Sequence, residues 1–316
     1  MTETPLPFTF VDVFTETPFK GNPLAVVTIP VGVSLTQDQK QAIAREFNLS
    51  ETVFMHDVAD SETSTERRFD IFTPLAELPF AGHPTIGTAV FLYSRGVRTL
   101  HAKAGPISIQ QSPNGALRAA IPHNVRLHQR RLPGLEQPNA SQSQLETAVG
   151  EAERGAPLFS IVKGMTFALI ELSSLELLGA VRVGAMPELP VDLLDDSWRE
   201  GWATRRYYFV RLGSESIGGR SVHKIRTRMV NQRIEDPATG SAACALSSFL
   251  SLHVFQETSL TCEITQGVEM GRESNILVDA EVGMNAEGAR TLESLHLGGK
   301  AVQVMSGCIS SRPEFD

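Results

Sequence analysis

The chain has 316 residues and a mass of 34.4 kDa, enough for two ordinary domains. Hydrophobic residues make up 41% and charged residues 20%, a globular composition, while 28 Lys and Arg against 36 Asp and Glu give a net charge of −8 and a pI near 5.6. So acidic a chain lacks the basic field that nucleic-acid binding needs. No apolar run approaches the roughly 18 residues of a membrane span. The oiliest window, Ile161 to Met186, is broken by Lys163, Glu171, Glu176 and Arg182. Cys244, Cys262 and Cys308 are too few and too scattered for a disulfide framework or a structural zinc site. The start MTETPLPFTFVDVF has acid where a signal peptide needs base, so a reduced, cytoplasmic protein is expected, with no membrane and no nucleic acid as partner.

In chain order, Phe8 to Phe14 alternates and is rich in Phe and Val, Phe19-Lys20-Gly21-Asn22-Pro23 carries turn chemistry, and Leu24 to Ile29 is an apolar run. Thr36 with Gln39 three residues on makes a capping box for a helix whose Ile43 and Phe47 share a face and which Asn48 can close. Ser50 to His56 and Arg67 to Phe72 then read as strands. Strands around few helices predict an α+β fold and not a doubly wound parallel sheet.

Two segments look alike, Leu78 to Leu92 and Ile234 to Leu246. Each has a Pro/Gly turn opening an apolar helix with small early positions: Gly87, Thr88 and Ala89 in one, Ala242, Ala243, Cys244 and Ala245 in the other. Small residues permit close packing on several sides, so each helix is expected to be central and wrapped by sheet. One such helix in each half suggests two pseudo-repeated domains. The boundary is placed in the polar stretch Pro122 to Pro157, giving domains at 1–125 and 126–297. Within that stretch Ser141 and Gln144 could cap a short helix with Leu145, Ala148, Val149 and Ala152 on one face and Gly155 at its end. Beyond it, strands are expected at Phe159 to Ile161, Met165 to Leu172, Tyr207 to Leu212 and Lys300 to Ile309, with a helical stretch around Leu175 to Met186.

A helix N-terminus presents free backbone N–H groups and a partial positive charge, a natural place for an anion. His83-Pro84 puts Pro at the first helical position and leaves Gly82 open to close approach; Gly240-Ser241 does the same, with Ser241 as cap or ligand donor. Two such starts could hold a small carboxylate, though ordinary capped helices would read the same way. Glu51 lies in an otherwise apolar strand, where a raised pKa would suit a general acid/base, although a strand glutamate can also simply face water. His83 and Asp236 stand beside the two turns, as caps or as catalysts. No G-x-G-x-x-G, P-loop or H-E-x-x-H occurs, so neither nucleotide nor zinc chemistry has a foothold.

At these residues the sequence resembles the phenazine-biosynthesis isomerase-like (PhzF-like) family, which shares the diaminopimelate epimerase fold. The matching stretches are Val11-Asp12-Val13-Phe14 through Gly21-Asn22-Pro23-Leu24-Ala25-Val26, Ser50 to Phe54, Phe72-Thr73-Pro74 with Glu77 to Thr85, Glu235 to Ala242, and Gln266-Gly267 with Met270-Gly271-Arg272. The resemblance implies two domains, each a curled, mostly antiparallel sheet around a central helix, with the active site in the cleft between them and the last strand (298–316) returning to the first domain. It places the acid/base glutamate on Glu51, the assisting His and Asp on His83 and Asp236, and substrate anchoring on Gly82, Gly240 and Ser241. Epimerases of this fold use two facing cysteines at the helix starts; here Cys244 lies inside the second helix and the first has none, which favours shuttling by one carboxyl. Pro84 stands where Ala is frequent, and Glu273 where Pro is often found.

The expectation is a cofactor-independent isomerase that moves a proton on a small unsaturated or cyclic carboxylate, with no metal and with a homodimer as a possible assembly. The phenazine-pathway isomerisation of a dihydro-hydroxyanthranilate is one candidate reaction among several. The alternatives are a serine hydrolase using Ser241, His83 and Asp236, and a non-catalytic small-molecule binder of the same fold.

Overall fold

The computed structural model describes residues 5–112, 114–133, 143–184, 188–201, 204–230 and 234–310. The chain divides into two units, Met1–Ala120 with Gly298–Asp316, and Ile121–Leu297.

In the first unit, strands β1 (Leu6–Val13), β2 (Asn22–Ile29), β3 (Thr52–His56), β4 (Glu66–Phe72), β6 (Thr99–Ala102), β7 (Gly105–Gln111) and β8 (Leu117–Ala120) follow one another across the sheet. The last strand of the chain, β18 (Ala301–Ile309), pairs antiparallel with β1. Short β5 (Glu77–Leu78) folds back on the end of β4. The pairing is mostly antiparallel, with parallel steps at β2–β3 and β4–β6.

Helix α1 (Gln37–Phe47) forms on the expected signals: the Thr36 hydroxyl accepts the Gln39 N–H, the Gln39 side chain accepts the Thr36 N–H, and Asn48 closes the helix in the left-handed region. Its Ile43 and Ala44 pack on Leu6, Val27, Ile29, Phe54 and Phe72. Helix α2 (Gly82–Tyr93) is buried at every residue from Gly82 to Ala89, and packs against β1, β2, β3, β8 and β18. A Cβ at Gly87 would stand 2.6 Å from Leu24 Cδ2 and 2.7 Å from Val13 Cγ2, so only glycine lets the helix lie this close to the sheet.

The second unit repeats the plan. β9 (Arg126–Arg131), β10 (Pro157–Val162), β11 (Met165–Glu171), β12 (Arg205–Ile217), β13 (Arg220–Val230), β15 (Ser259–Gln266) and β16 (Ser274–Met284) are neighbours in that order, with parallel steps at β11–β12 and β13–β15. β14 (Glu235–Asp236) folds back on β13 as β5 does on β4, and after three intervening residues α5 (Gly240–His253) begins, as α2 does after β5. α5 is buried from Ala242 to Ser248 and packs on β10, β11, β15 and β16. β17 (Arg290–Gly299) completes the strands, and α3 (Gln144–Glu153) and α4 (Leu175–Ala180) cover a separate apolar cluster around Leu158, Ile170 and Tyr208. No described helix is long and apolar enough to cross a membrane.

Several local expectations shift. The capping box of α3 is Ser143 with Glu146, not Ser141 with Gln144; Ser141 lies outside the described residues. Glu146 at the third helical position brings charge to the helix start, which favours this frame over one led by Gln144. α3 ends at Glu153, and Gly155 follows at φ +81°. The helical stretch from Leu175 stops at Ala180, while Met186 lies outside the described residues.

Candidate functional site

In the first unit the chain leaves α1 at Asn48 and reaches Glu51 just before β3, so Glu51 precedes the strand and does not lie within it. Its Oε2 sits 3.0 Å from Nδ1 of His83 on the first turn of α2. The Glu51 side chain is 16% exposed and that of His83 only 4%. An ionised Glu51 would accept from an Nδ1–H, and this contact sets the orientation of the imidazole. Among the described residues His83 Nε2 is buried without a hydrogen-bond partner.

Gly82, not Pro84, opens α2: Ala81 is the N-cap, and Pro84 is the third helical residue. The change of place leaves the chemistry intact, because a proline anywhere in the first turn gives up an N–H that has no helical acceptor. Ala81 has no polar side chain with which to cap, so the cap residue leaves the first amides of α2 unanswered.

In the second unit the N-cap of α5 is Thr239, and Ser241 is the second helical residue, correcting its expected place as cap. Thr239 makes no side-chain cap either. Its hydroxyl turns to Asp236, donating to Oδ2 at 2.6 Å, and accepts from Gln266 Nε2 at 3.0 Å. Gln266 Nε2 also donates to the Asp236 carbonyl at 2.8 Å, and its Oε1 accepts from the Thr239 N–H at 3.3 Å. Behind it the Tyr207 hydroxyl lies 3.0 Å from Gln266 Oε1 and from Thr227 Oγ1. Gly240 is buried and Ser241 half-buried. The sequence places Thr239 and Gln266 only in matching stretches and Tyr207 only in a strand, with no site role for any of them; the Pro237-Ala238-Thr239 turn ahead of a helix is the available signal for Thr239.

Cys244 and Cys262 are both buried, and burial pushes both thiols up, Cys262 to about 12. Neither is a thiolate near neutral pH. A concavity of about 600 Å³ in the first unit lies at the far end of α2, beside Tyr93, Arg98 and Lys300. Its charges are already engaged, Lys300 with Glu16 at 2.9 Å and Arg98 over the Tyr93 ring at 3.9 Å.

Two units that each thread an apolar helix through a curled sheet define the diaminopimelate epimerase-like fold. A hydroxyproline epimerase from Agrobacterium vitis shares it, at TM-score 0.53 and 13% identity over 97% of this chain and 92% of that one. So does a PhzF-family phenazine biosynthesis protein from Bacillus anthracis, at TM-score 0.69 and 20% identity over 97% and 99%. The family model described as phenazine biosynthesis-like protein matches residues 11–307, and the chain belongs to that PhzC-PhzF family. Its relatives include an uncharacterized isomerase of Mesorhizobium japonicum, 32% identical over 94% of this chain and 96% of its own. Another is the trans-2,3-dihydro-3-hydroxyanthranilate isomerase of Pseudomonas chlororaphis, 30% identical over 87% and 90%. The protein is an isomerase of this family.

Proposed function

We propose that Glu51, as carboxylate, removes a proton from an acidic carbon of a small unsaturated or cyclic carboxylate and returns it at a second carbon on the same face. The observation that carries this reading is the Glu51–His83 pair at the start of α2, two largely buried side chains 3.0 Å apart. General acid/base action of this kind contributes roughly 10²–10⁴-fold, about 2.7–5.4 kcal/mol. A buried, unpartnered His83 Nε2 is costly unless something engages it, and a substrate heteroatom would. Side-chain-uncapped amides at Gly82 and at Gly240–Ser241 suit a carboxylate or a developing anion, worth about 3–4 kcal/mol where charge grows in the transition state. The family resemblance gives Asp236, Gly240 and Ser241 to the same substrate, and we assign them its anchoring. The buried, protonated thiols argue against a two-cysteine route.

The hydrolase reading is disfavoured by what each group already does: His83 Nδ1 faces Glu51, and Asp236 holds the Thr239 hydroxyl. A second Ser-His-Asp grouping, Ser160, His128 and Asp195, is inverted for nucleophilic catalysis. His128 Nδ1 accepts the Asp195 N–H at 3.2 Å, so Nε2 donates to Ser160 Oγ at 2.9 Å and cannot take its proton. Ser160 and His128 are also buried.

The test is turnover of trans-2,3-dihydro-3-hydroxyanthranilate in D₂O, followed by NMR, for wild type and Glu51→Gln. Deuterium uptake and isomerisation are expected in the wild type, with kcat lowered by about 10²–10⁴ in the variant. Wild-type kcat in Glu51→Gln refutes the assignment.

A further inference from the structure

We infer that Thr239 and Gln266 are positioning residues for Asp236, a role that rests on the anchoring function proposed above for that carboxylate. A threonine at an N-cap ordinarily spends its hydroxyl on the second or third helical N–H. The capping hydroxyls of α1, α3 and α4 (Thr36, Ser143 and Ser174) all do so. At α5 the hydroxyl is diverted: it donates to Asp236 Oδ2 and accepts from Gln266. The same atom therefore fixes a carboxylate oxygen and leaves the α5 amides without a side-chain cap.

Gln266 holds Thr239 in that posture. The Asp236 carbonyl can only accept and the Thr239 N–H can only donate, which fixes the amide with nitrogen toward one and oxygen toward the other. Both amide hydrogens and the carbonyl are engaged inside a site where Gln266 is fully buried, so the group has one orientation. Tyr207, raised by burial, remains a protonated donor behind it. Gly267 is the backbone half of the clamp. At φ +76° it lies against the turn, and a Cβ there would stand 2.6 Å from the Pro237 carbonyl oxygen and 2.5 Å from that of Arg272.

The fold does not require this device. In the first unit a turn of the same length joins β5 to α2 with Leu78 in the place of Asp236 and Ala81 in the place of Thr239. The polar set in the second unit serves something other than the turn.

The experiment compares the full-length wild type, Thr239→Ser, Thr239→Val and Asp236→Asn, alone and combined with Thr239→Val. The readouts are turnover of trans-2,3-dihydro-3-hydroxyanthranilate, calorimetric binding of 3-hydroxyanthranilate, and the crystal structure of Thr239→Val. Thr239→Val is expected to lower kcat/KM by about 10–100-fold, the effect of displacing a bound group by about 1 Å, while Thr239→Ser stays within about threefold of wild type. In the Asp236→Asn background Thr239→Val is expected to add less than about threefold, because the two act through one group. Wild-type kcat/KM in Thr239→Val, an equal loss in Thr239→Ser, or a full additional loss in Asp236→Asn overturns the inference. A wild type inert toward the dihydro acid would sink that substrate and leave the inference to the crystal structure. A changed Asp236 rotamer in Thr239→Val then supports it, and an unmoved carboxylate overturns it.

Discussion

Replacing Asp70 by Asn should destabilise the first unit far more than replacing its partner Lys40 by Met. Lys40 on α1 places Nζ 2.6 Å from Asp70 Oδ2 on β4, with the two side chains 6% and 5% exposed. Asp70 also has His56 Nε2 at 2.7 Å and Arg68 at 3.4 Å. At an effective dielectric of about 20 the Lys40–Asp70 attraction is about 6 kcal/mol gross, and most of it offsets the desolvation of the two ions. Removing only the acid forfeits the attraction and keeps Lys40 buried, which costs about 3–5 kcal/mol. Removing only the lysine leaves Asp70 with two cationic or protonatable neighbours, so Lys40→Met should cost about 1–2 kcal/mol, and the double variant less than the sum. Burial alone would raise the Asp70 pKa, but hydrogen bonds from His56 and Lys40 and their charge overcome it and hold the carboxyl well below the usual carboxylate range. The stability linked to that depression is present above about pH 4 and is lost as pH falls below it, so Asp70→Asn should flatten the acid limb. Only Asn48, Leu49 and Ser50 separate α1 from Glu51, and a loosened α1 should therefore also lower kcat. Urea unfolding at pH 7 and at pH 3–4 measures the stability changes, and steady-state turnover at pH 7 measures kcat. A cost for Asp70→Asn no larger than for Lys40→Met would refute the reasoning.

Burial lowers the His128 pKa below its ordinary value, Arg126 adds to that, and Asp195 opposes it. The folded state then binds fewer protons there than the unfolded one, so stability is whole above about pH 6.5 and falls as pH drops through that value. His128→Asn should reduce the slope between pH 7.5 and 5.5 in urea titrations, and an unchanged slope would count against it. Cys308 is exposed, whereas Cys244 and Cys262 are buried with raised pKa values. A colorimetric disulfide reagent should therefore label one thiol in the native protein and the other two only on unfolding, and rapid labelling of two or three would contradict the burial of Cys244 on α5 or of Cys262 on β15.

The parts legible in the sequence are those whose determinants are local. Thr36, Gln39 and Asn48 suffice for α1, and the two Pro/Gly turns announced α2 and α5 with their small-residue faces. Helix starts were misplaced where local signals are degenerate. A proline fits any position of a first turn, so Pro84 could not say whether the helix opens at Pro84 itself or two residues earlier at Gly82. Thr239 and Ser241 are both competent caps, and the choice between them is made by Asp236 and by Gln266, which comes from a strand after the helix. Strand β13 was missed because not all of its polar residues lie on a wet face: Arg228 is buried, paired with Glu235 at 2.7 Å, and donates to the Leu178 and Val181 carbonyls. No period-2 alternation survives when buried charges are satisfied by distant partners.

The pseudo-repeat also explains why one carboxylate can do the proton chemistry proposed here. Register fixes the correspondence: Thr52 faces Phe72 and Ile71 faces Leu78 in the first unit, while Arg206 faces Val230 and Met229 faces Asp236 in the second. The residue before Thr52 is Glu51, and its counterpart before Arg206 is Arg205, a guanidinium that cannot serve as a base. Likewise His83, second in α2, corresponds to Ser241, second in α5. A two-base reaction needs a second proton acceptor, and at these two positions the second repeat carries Arg205 and Ser241 instead. What they share is the glycine-led helix start without a side-chain cap, suited to holding negative charge. On the proposed reading the repeats divide the labour, the first moving the proton and the second fixing the substrate through Asp236, Gly240 and Ser241. A proton leaving and returning through one largely buried carboxylate would keep to a single face of the substrate, which is the geometry of an isomerisation and not of a racemisation.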